Sequence, residues 1–157
     1  MKVQVFFTGR TTGRLFQEAI ADYQQRLTHY VPFGIEEIPD LKNAKNLSEE
    51  QQKEREADML FERMQPGDVL VLLDERGREF TSREFSQYLE QKMQTVSKRL
   101  VFLIGGPYGF SPRVYEAAQF KISLSKMTFS HQMVRLFLVE QIYRACTIMR
   151  GEPYHHD

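Results

Sequence analysis

The sequence predicts an α/β protein: a parallel or mostly parallel sheet flanked by helices. Two observations lead to this fold class. Short, almost wholly apolar runs recur along the chain, as expected of strands that are buried on both faces. Segments with helix-start signals separate these runs, so that strands and helices alternate. The 157 residues contain no internal repeat and no linker, which favours one domain over residues 1–157.

The first half of the chain predicts two strands and two helices. Residues 2–8 form a buried strand, and residues 14–29 have apolar positions at near-helical spacing. A second strand covers 35–38, and a polar loop covers 41–46. The sequence Ser48-Glu-Glu-Gln51 is a capping box, so a highly charged helix begins there and runs to about residue 64.

The middle of the chain predicts two central strands with a helix between them. Residues 68–73 are almost wholly apolar and follow the turn at Pro66-Gly67. Thr81-Ser-Arg-Glu84 is a second capping box, which begins a helix to about residue 96. Residues 100–104 are again apolar and form the fourth predicted strand.

The last third predicts a short helix, a strand and a long helix. Ser111-Pro112 combines an N-cap residue with proline at the first helical position, so a helix to about residue 119 is expected. Residues 121–124 form the last strand. Ser130 caps a helix over 131–149, and Gly151 ends that helix.

The final helix has apolar residues around nearly its whole circumference. A helix of this kind must be buried on all sides. One side can pack on the sheet, and we expect the other to pack against a second copy of the chain in a two-fold dimer. The alternative is that the N-terminal segments cover it.

The composition excludes several classes of protein. No apolar stretch is long enough to span a membrane, and the N-terminus lacks the features of a signal peptide, so we expect a cytoplasmic protein. The single cysteine, Cys146, excludes an internal disulfide and a thiolate metal cage, and is expected in the core. Residues 155–157 lack supporting metal ligands elsewhere, so no metal site is expected.

The charge distribution leaves nucleic-acid binding open. The formal net charge is zero, whereas nucleic-acid-binding domains usually carry a basic surplus. Residues 36–63, however, hold nine acidic and five basic residues, so the rest of the chain is basic in balance. If the fold gathers the basic residues near the C-terminal loops, a phosphate-binding face results; otherwise they are scattered solvated charges. These residues are Arg10, Arg14, Arg113, Lys126, Arg135, Arg144 and Arg150.

Two loops near the C-terminus are the main functional signal. Gly105-Gly-Pro-Tyr-Gly109 follows the fourth strand, and Ser125-Lys-Met-Thr-Phe-Ser130 follows the fifth. The first is neither a dinucleotide-binding fingerprint nor a phosphate loop. Both loops follow strands of a parallel sheet, so they are expected side by side at its carboxyl edge, where α/β proteins bind small ligands.

The residues of these loops carry a resemblance to a known family. The motifs IGGPYG (104–109), LSKMTFSHQMVR (124–135), EQIYRA (140–145) and EPYHH (152–156) resemble the ribosomal RNA large subunit methyltransferase H family of the SPOUT superfamily. The opening strand, the segment IEEIPD (35–40) and the chain length extend the resemblance to essentially the whole chain. It implies a C-terminal trefoil knot over about 100–157, which no pattern in the sequence would suggest.

The resemblance also implies an activity and a set of cofactor residues. Family members use S-adenosyl-L-methionine to methylate N3 of pseudouridine 1915 in 23S ribosomal RNA, on the assembled ribosome and as homodimers. The binding residues that this implies here lie at the end of the third strand, in the glycine turn and in the loop after the fifth strand. They are Leu73, Gly105, Gly106, Leu124, Ser125, Lys126, Met127, Thr128, Phe129 and Ser130.

The catalytic candidates follow from the chemistry of the acceptor. The imide N3–H is weakly acidic and its anion is the nucleophile, so a group that stabilises the anion or accepts the proton is needed. The matching positions are Arg144, Tyr154 and His155. We expect the tail that carries the last two to be free to close over a base; a frayed, functionless terminus is the alternative.

Five further residues have open or supporting roles. His131, in the first turn of the last helix, is expected to shape the loop, with its protonation depressed by the helix dipole. Arg135 has two equal readings, an ion pair or a contact to phosphate or base. Tyr108 and Phe110 either stack on a base or pack the glycine turn. His156 departs from the family's ending.

Two other functions remain open at this stage. One is a SPOUT enzyme that acts on transfer RNA. The other is a non-catalytic module that binds RNA or the ribosome and keeps the fold. The intact glycine turn and the intact loop after the fifth strand favour the methyltransferase over the non-catalytic module. The C-terminal tail and the lack of an added RNA-binding domain argue against the transfer-RNA enzyme.

Overall fold

A computed structural model describes residues 1–157 as a five-stranded parallel sheet between two helical layers. The strands are β1 Lys2–Thr8, β2 Phe33–Ile38, β3 Val69–Glu79, β4 Arg99–Ile104 and β5 Phe120–Ser123. The helices are α1 Arg14–Leu27, α2 Glu49–Arg63, α3 Ser82–Thr95, α4 Pro112–Ala117 and α5 His131–Met149, with a 3-10 turn at Ala44–Asn46. The predicted α/β class and the order of elements are confirmed.

The sheet has the order β2-β1-β4-β3-β5, and every pairing is parallel. Helices α1, α3 and α5 cover one face, and α2 and α4 cover the other. Connections through the first layer all move along the sheet in one direction, and connections through the second move in the opposite direction. All crossovers therefore share one hand, as parallel sheets require.

The helix-start signals act as the sequence predicts, with one exception. Ser48 and Gln51 form a reciprocal capping box at α2, and Thr81 and Glu84 form another at α3. Ser130 Oγ accepts the N–H of Met133, 3.2 Å away, at the start of α5. The exception is Ser111, which precedes α4 but makes no capping bond; its hydroxyl is buried without a partner.

Strand β3 is longer than its apolar run predicts. It continues past Leu73 to Glu79, and both Leu73 and Arg78 pair with Ile122 of β5, so the intervening residues bulge. A Cβ at Gly77 would lie 2.6 Å from the Ile122 backbone, which only glycine can tolerate. The polar composition of residues 74–79 hides this pairing in the sequence.

Helix α5 lies between α1 and α3 on the sheet, and its inner face is fully buried. The outer side is partly covered by the C-terminal tail, since Tyr154 packs edge-on against Tyr143 at 4.8 Å between ring centroids. Cys146 lies in the core, and burial raises its pKa to about 11. Met133 remains 40% exposed, and the dimer stays a prediction. No helix has the length and apolar character needed to cross a bilayer.

A buried ion pair closes the amino end of the sheet. The Asp68 side chain is 1% exposed and accepts from Arg99 Nε at 2.9 Å and Nη2 at 2.7 Å. Arg99 Nη2 also donates to the Arg63 carbonyl, which ties α2 to the pair. Burial by itself would raise the pKa of Asp68, but the bonds from Arg99 and the Gln65 N–H outweigh burial and lower it.

We expect Asp68→Ala to lower the free energy of unfolding by roughly 2–4 kcal/mol at neutral pH, because it leaves the Arg99 guanidinium buried and unpaired. The contribution of a carboxyl with a lowered native pKa is complete above its unfolded pKa and is lost as the pH falls through the native value. Urea unfolding at several pH values measures both effects. Asp22→Ala, which removes an exposed pair with Arg26, is the control. Equal losses in the two variants would contradict the prediction.

Candidate active site

A cleft of about 680 Å³ lies at the carboxyl ends of β3, β4 and β5, where the loops after these strands meet. Its volume is within the range of small-molecule sites. Eight of the ten predicted cofactor residues line it: Leu73, Gly105, Gly106, Leu124, Ser125, Met127, Thr128 and Phe129. The other two do not line it. Lys126 is exposed to solvent, and the Ser130 hydroxyl caps α5.

The loop over residues 125–130 offers unused backbone groups to this cleft. Ser125 fixes its shape, since Ser125 Oγ accepts the Met127 N–H and the Ser125 carbonyl accepts Ser123 Oγ, each at 2.9 Å. The other backbone N–H groups of residues 125–130 have no partner within the chain. Unpaired backbone N–H groups can donate hydrogen bonds to the polar edge of a ligand such as a nucleoside.

The glycine turn is tight for a reason that the sequence does not reveal. A Cβ on Gly105 would lie 2.7 Å from the Phe110 ring, and a Cβ on Gly106 would lie 2.6 Å from the Glu56 carboxylate. Two adjacent glycines lack the side chains that would keep a flat ligand from the backbone. In the structure they leave room for Phe110 and Glu56, which pack against the turn.

Glu56 is therefore a site residue that sequence reasoning missed. It extends from α2 to the turn, is half-buried, and burial raises the pKa of its carboxyl. The Ser111 hydroxyl, buried without a partner, lines the same small space. The sequence offered one signal for this contact, since Glu56 lies in α2 directly before Ala57, which is buried.

The residues beside the turn divide between packing and exposure. Phe110 packs edge-on against Tyr115, with ring centroids 5.7 Å apart, so it has the packing role. Tyr108 lines the cleft and is 46% exposed, which leaves its ring available for stacking. His131 also lines the cleft. Burial, and to a smaller extent the nearby Arg135 guanidinium, lower the pKa of His131. The direction is the expected one, but the expected cause was the helix dipole.

The structure brings the three predicted catalytic residues together. Arg144 Nη1 lies 3.1 Å from His155 Nδ1, and the Arg144 guanidinium lies 4.8 Å from the centre of the Tyr154 ring. Glu140 joins them, because its Oε1 accepts from Arg144 Nη2 at 2.7 Å and from the Tyr154 hydroxyl at 2.9 Å. Glu140 was not among the predicted site residues; it becomes the shared acceptor because the tail folds back onto α5.

The hydrogen bonds define the protonation of this cluster. Burial raises the pKa of Tyr154, and the bonds to Tyr23 and Glu140 raise it further, so the phenol stays protonated. Arginine can only donate, so His155 Nδ1 accepts and its proton is on Nε2. That Nε2 lies 2.9 Å from Asp157 Oδ1. The tail is thus docked on α5, in contrast to the expected free segment.

The basic residues do not gather into one face as the charge balance suggested. Arg10, Arg14 and Arg113 are each paired with carboxylates. Arg150 donates to the His29 carbonyl. Arg135 is 2% exposed and donates to the Gly9 and Thr8 carbonyls and to Thr11 Oγ1, with Glu37 at 3.9 Å. Of its two readings, a contact with RNA is excluded by burial in this fold.

A second cavity of about 320 Å³ lies between the cleft and the catalytic cluster. Leu124 and Phe129 of the loop after β5 line one side, and Glu140 lines the other. Phe80, Phe85 and Phe137 make its walls aromatic. The cavity therefore connects two of the predicted cofactor residues with Glu140, the carboxylate that holds Arg144 and Tyr154.

Comparisons with known proteins place the chain in a family. A family model described as "Predicted SPOUT methyltransferase" matches residues 1–155. Proteins named "Ribosomal RNA large subunit methyltransferase H" are similar over the full length of both chains, with 64% identity in Parabacteroides distasonis, 59% in Phocaeicola vulgatus and 54% in Porphyromonas gingivalis. The chain belongs to the ribosomal RNA large subunit methyltransferase H family.

Family membership identifies the fold as that of a SPOUT methyltransferase, and the five-stranded parallel sheet agrees with it. The trefoil knot of that superfamily stays a prediction for this chain. No group of three or more His, Cys, Asp or Glu side chains is placed to hold a metal ion.

The contact between Gly106 and Glu56 gives a test of the turn. We expect Gly106→Val to weaken S-adenosylmethionine binding by about 10-fold or more, because the new side chain displaces the turn. Glu56→Ala in the same chain removes the obstacle and should restore most of the affinity. Titration calorimetry measures both, with Glu56→Ala alone as the control. A double variant as weak as Gly106→Val would mean that valine occupies the ligand's own space.

Proposed function

We propose that this protein transfers a methyl group from S-adenosylmethionine to N3 of pseudouridine 1915 of 23S ribosomal RNA in the assembled ribosome. The observation that carries the proposal is the cleft at the carboxyl ends of β3, β4 and β5, which is lined by the residues matching the family's cofactor site. The names of the relatives and the family model support the reaction class.

The cleft suits S-adenosylmethionine in its chemical character. When bound, this group supplies the methyl as part of a sulfonium, which is already activated for transfer. The free N–H groups of residues 125–130 and the backbone of the glycine turn would hold its polar edges. Leu73, Leu124 and Phe129 would pack against its apolar parts.

The Glu140 cluster suits the acceptor. Arg144 carries a permanent positive charge and would stabilise the N3 anion. Tyr154 stays protonated, so it would donate a hydrogen bond rather than act as the base. His155 could take the proton at Nδ1 only after that atom is released from Arg144, and Asp157 would then stabilise the imidazolium.

We place the target base in the cavity between the two groups. A pyrimidine there would contact the loop after β5 through Leu124 and Phe129. Its far edge would face Glu140, which holds Arg144 and Tyr154. The aromatic walls favour a flat ring, as base-binding pockets do.

The assembly and cellular context are also part of the proposal. Residues 1–157 would form one SPOUT domain with its knotted part over about 100–157. Two copies would associate as a homodimer through the outer side of α5, where Met133 is exposed. A protein that modifies ribosomes would act in the cytoplasm.

The function is tested by two measurements. Titration calorimetry should show S-adenosylmethionine binding with an affinity in the micromolar range or tighter; no binding would favour a non-catalytic RNA-binding module. Mass spectrometry of 23S ribosomal RNA from cells with and without the gene should show loss of one methyl group on the target pseudouridine. A methyl group lost from transfer RNA instead would identify a different substrate.

Arg144 is the sharpest test of the catalytic assignment. We expect Arg144→Ala to reduce kcat by roughly 10²–10³-fold, since it removes the charge that stabilises the anion, while the Kd of S-adenosylmethionine changes little. Arg144→Lys keeps one charge but cannot reach both Glu140 and His155, so it should rescue only in part. Single-turnover assays on ribosomes measure the rates. Full activity in Arg144→Ala would remove this residue from the mechanism.

A further inference from the structure

An open groove of about 360 Å³ lies on the outer edge of the sheet, where the extension of β3 runs beside β5. Three of its residues are basic: Arg76, Arg78 and Lys121. We call it the basic groove. Its other lining residues are Gly77, Tyr115, Ala118, Gln119 and Phe120.

The three cations of the basic groove are exposed and form no ion pair. They differ in this from Arg10, Arg14 and Arg113, which are paired with acids. The Arg78 guanidinium lies 4.6 Å from the centre of the Phe80 ring, and Lys121 Nζ lies 5.5 Å from that of Tyr115. Aromatic rings thus hold two of the cations without neutralising them.

No carboxylate lines the basic groove, although acids are close in sequence. Glu79 follows Arg78 in the paired part of the β3 extension, where side chains alternate, so these two side chains lie on opposite faces. The nearby Asp74 does not line the groove; its carboxylate accepts from the Arg76 N–H at 2.8 Å and the Tyr115 hydroxyl at 2.5 Å. The positive charge of the groove therefore faces solvent.

We propose that the basic groove binds backbone phosphates of the RNA that carries the target base. Unpaired arginine and lysine beside an exposed aromatic ring, 41% exposed at Tyr115, are suited to a nucleotide strand. Arg76 and Tyr115 also line the proposed cofactor cleft, so RNA in the groove would continue to the site of methyl transfer. The inference rests on the proposed function for the identity of the RNA.

The test compares two variants that lose the same charge. Arg78→Gln with Lys121→Gln alters only groove residues that do not line the cleft. Lys2→Gln with Lys98→Gln removes two cations at the amino end of the sheet, and circular dichroism verifies that both variants fold. Binding to the large subunits of purified, assembled ribosomes is measured over a range of KCl concentrations, together with KM and S-adenosylmethionine affinity.

For the groove variant we expect the slope of log affinity against log salt to fall in magnitude by about 1.4 to 1.8, because two phosphate contacts are lost. KM for the subunits should rise by at least about 10-fold, with S-adenosylmethionine affinity unchanged. The control variant should match the wild type. An unchanged slope and KM would overturn the proposal, and so would weaker binding with an unchanged slope, which indicates a ribosomal protein contact.

The outcome separates this proposal from the proposed function. A wild-type protein that binds subunits but transfers no methyl group would contradict the function, while the difference in slope would still decide the role of the groove. A wild-type protein whose binding to subunits shows no salt dependence would overturn the groove proposal even if methylation were observed.

Discussion

The position of β3 between β4 and β5 is the constraint on which the site depends. All three strands run in the same direction, so the loops after them open at one edge and form one cleft. The chain after β4 must cross over β3 to form β5 on the other side of it. The β3 extension and β5 lie close together there, because Gly77 has no side chain to meet the Ile122 backbone. The cleft and the basic groove are the two sides of this single arrangement.

The second organising element is the return of the C-terminal tail onto α5. Glu140 accepts bonds from Arg144 of the same helix and from Tyr154 of the tail, so one carboxylate sets both side chains. Tyr23 of α1 and Arg83 of α3 extend the network to Tyr154 and Asp157. Each helix in contact with α5 therefore supports the catalytic candidates, and the tail is ordered by polar bonds rather than by a large apolar surface.

The fold was predictable because its signals are local. Short segments are enough to predict these elements: capping boxes mark the helix starts at Ser48 and Thr81, and apolar runs mark β1 and β4. The β3 extension could not be predicted, because the residues around Arg78 are polar and their partner strand is more than forty residues away in the sequence. Most residues that line the cleft were predicted from two loops. Glu56 and Glu140 reach their positions through contacts between distant elements, which no spacing in the sequence encodes.

The hydrogen bonds of the tail bear on how a catalytic histidine would work here. His155 Nδ1 accepts from Arg144, so in the docked tail neither of these two atoms is free to bind a substrate. A bond that involves a charged group contributes about 1.5–3 kcal/mol, which is small beside the barrier of a methyl transfer. An RNA base that takes the place of His155 on Arg144 would replace that bond with one to a developing anion. Under the proposed mechanism, the same guanidinium would hold the tail before the substrate arrives and stabilise the substrate afterwards.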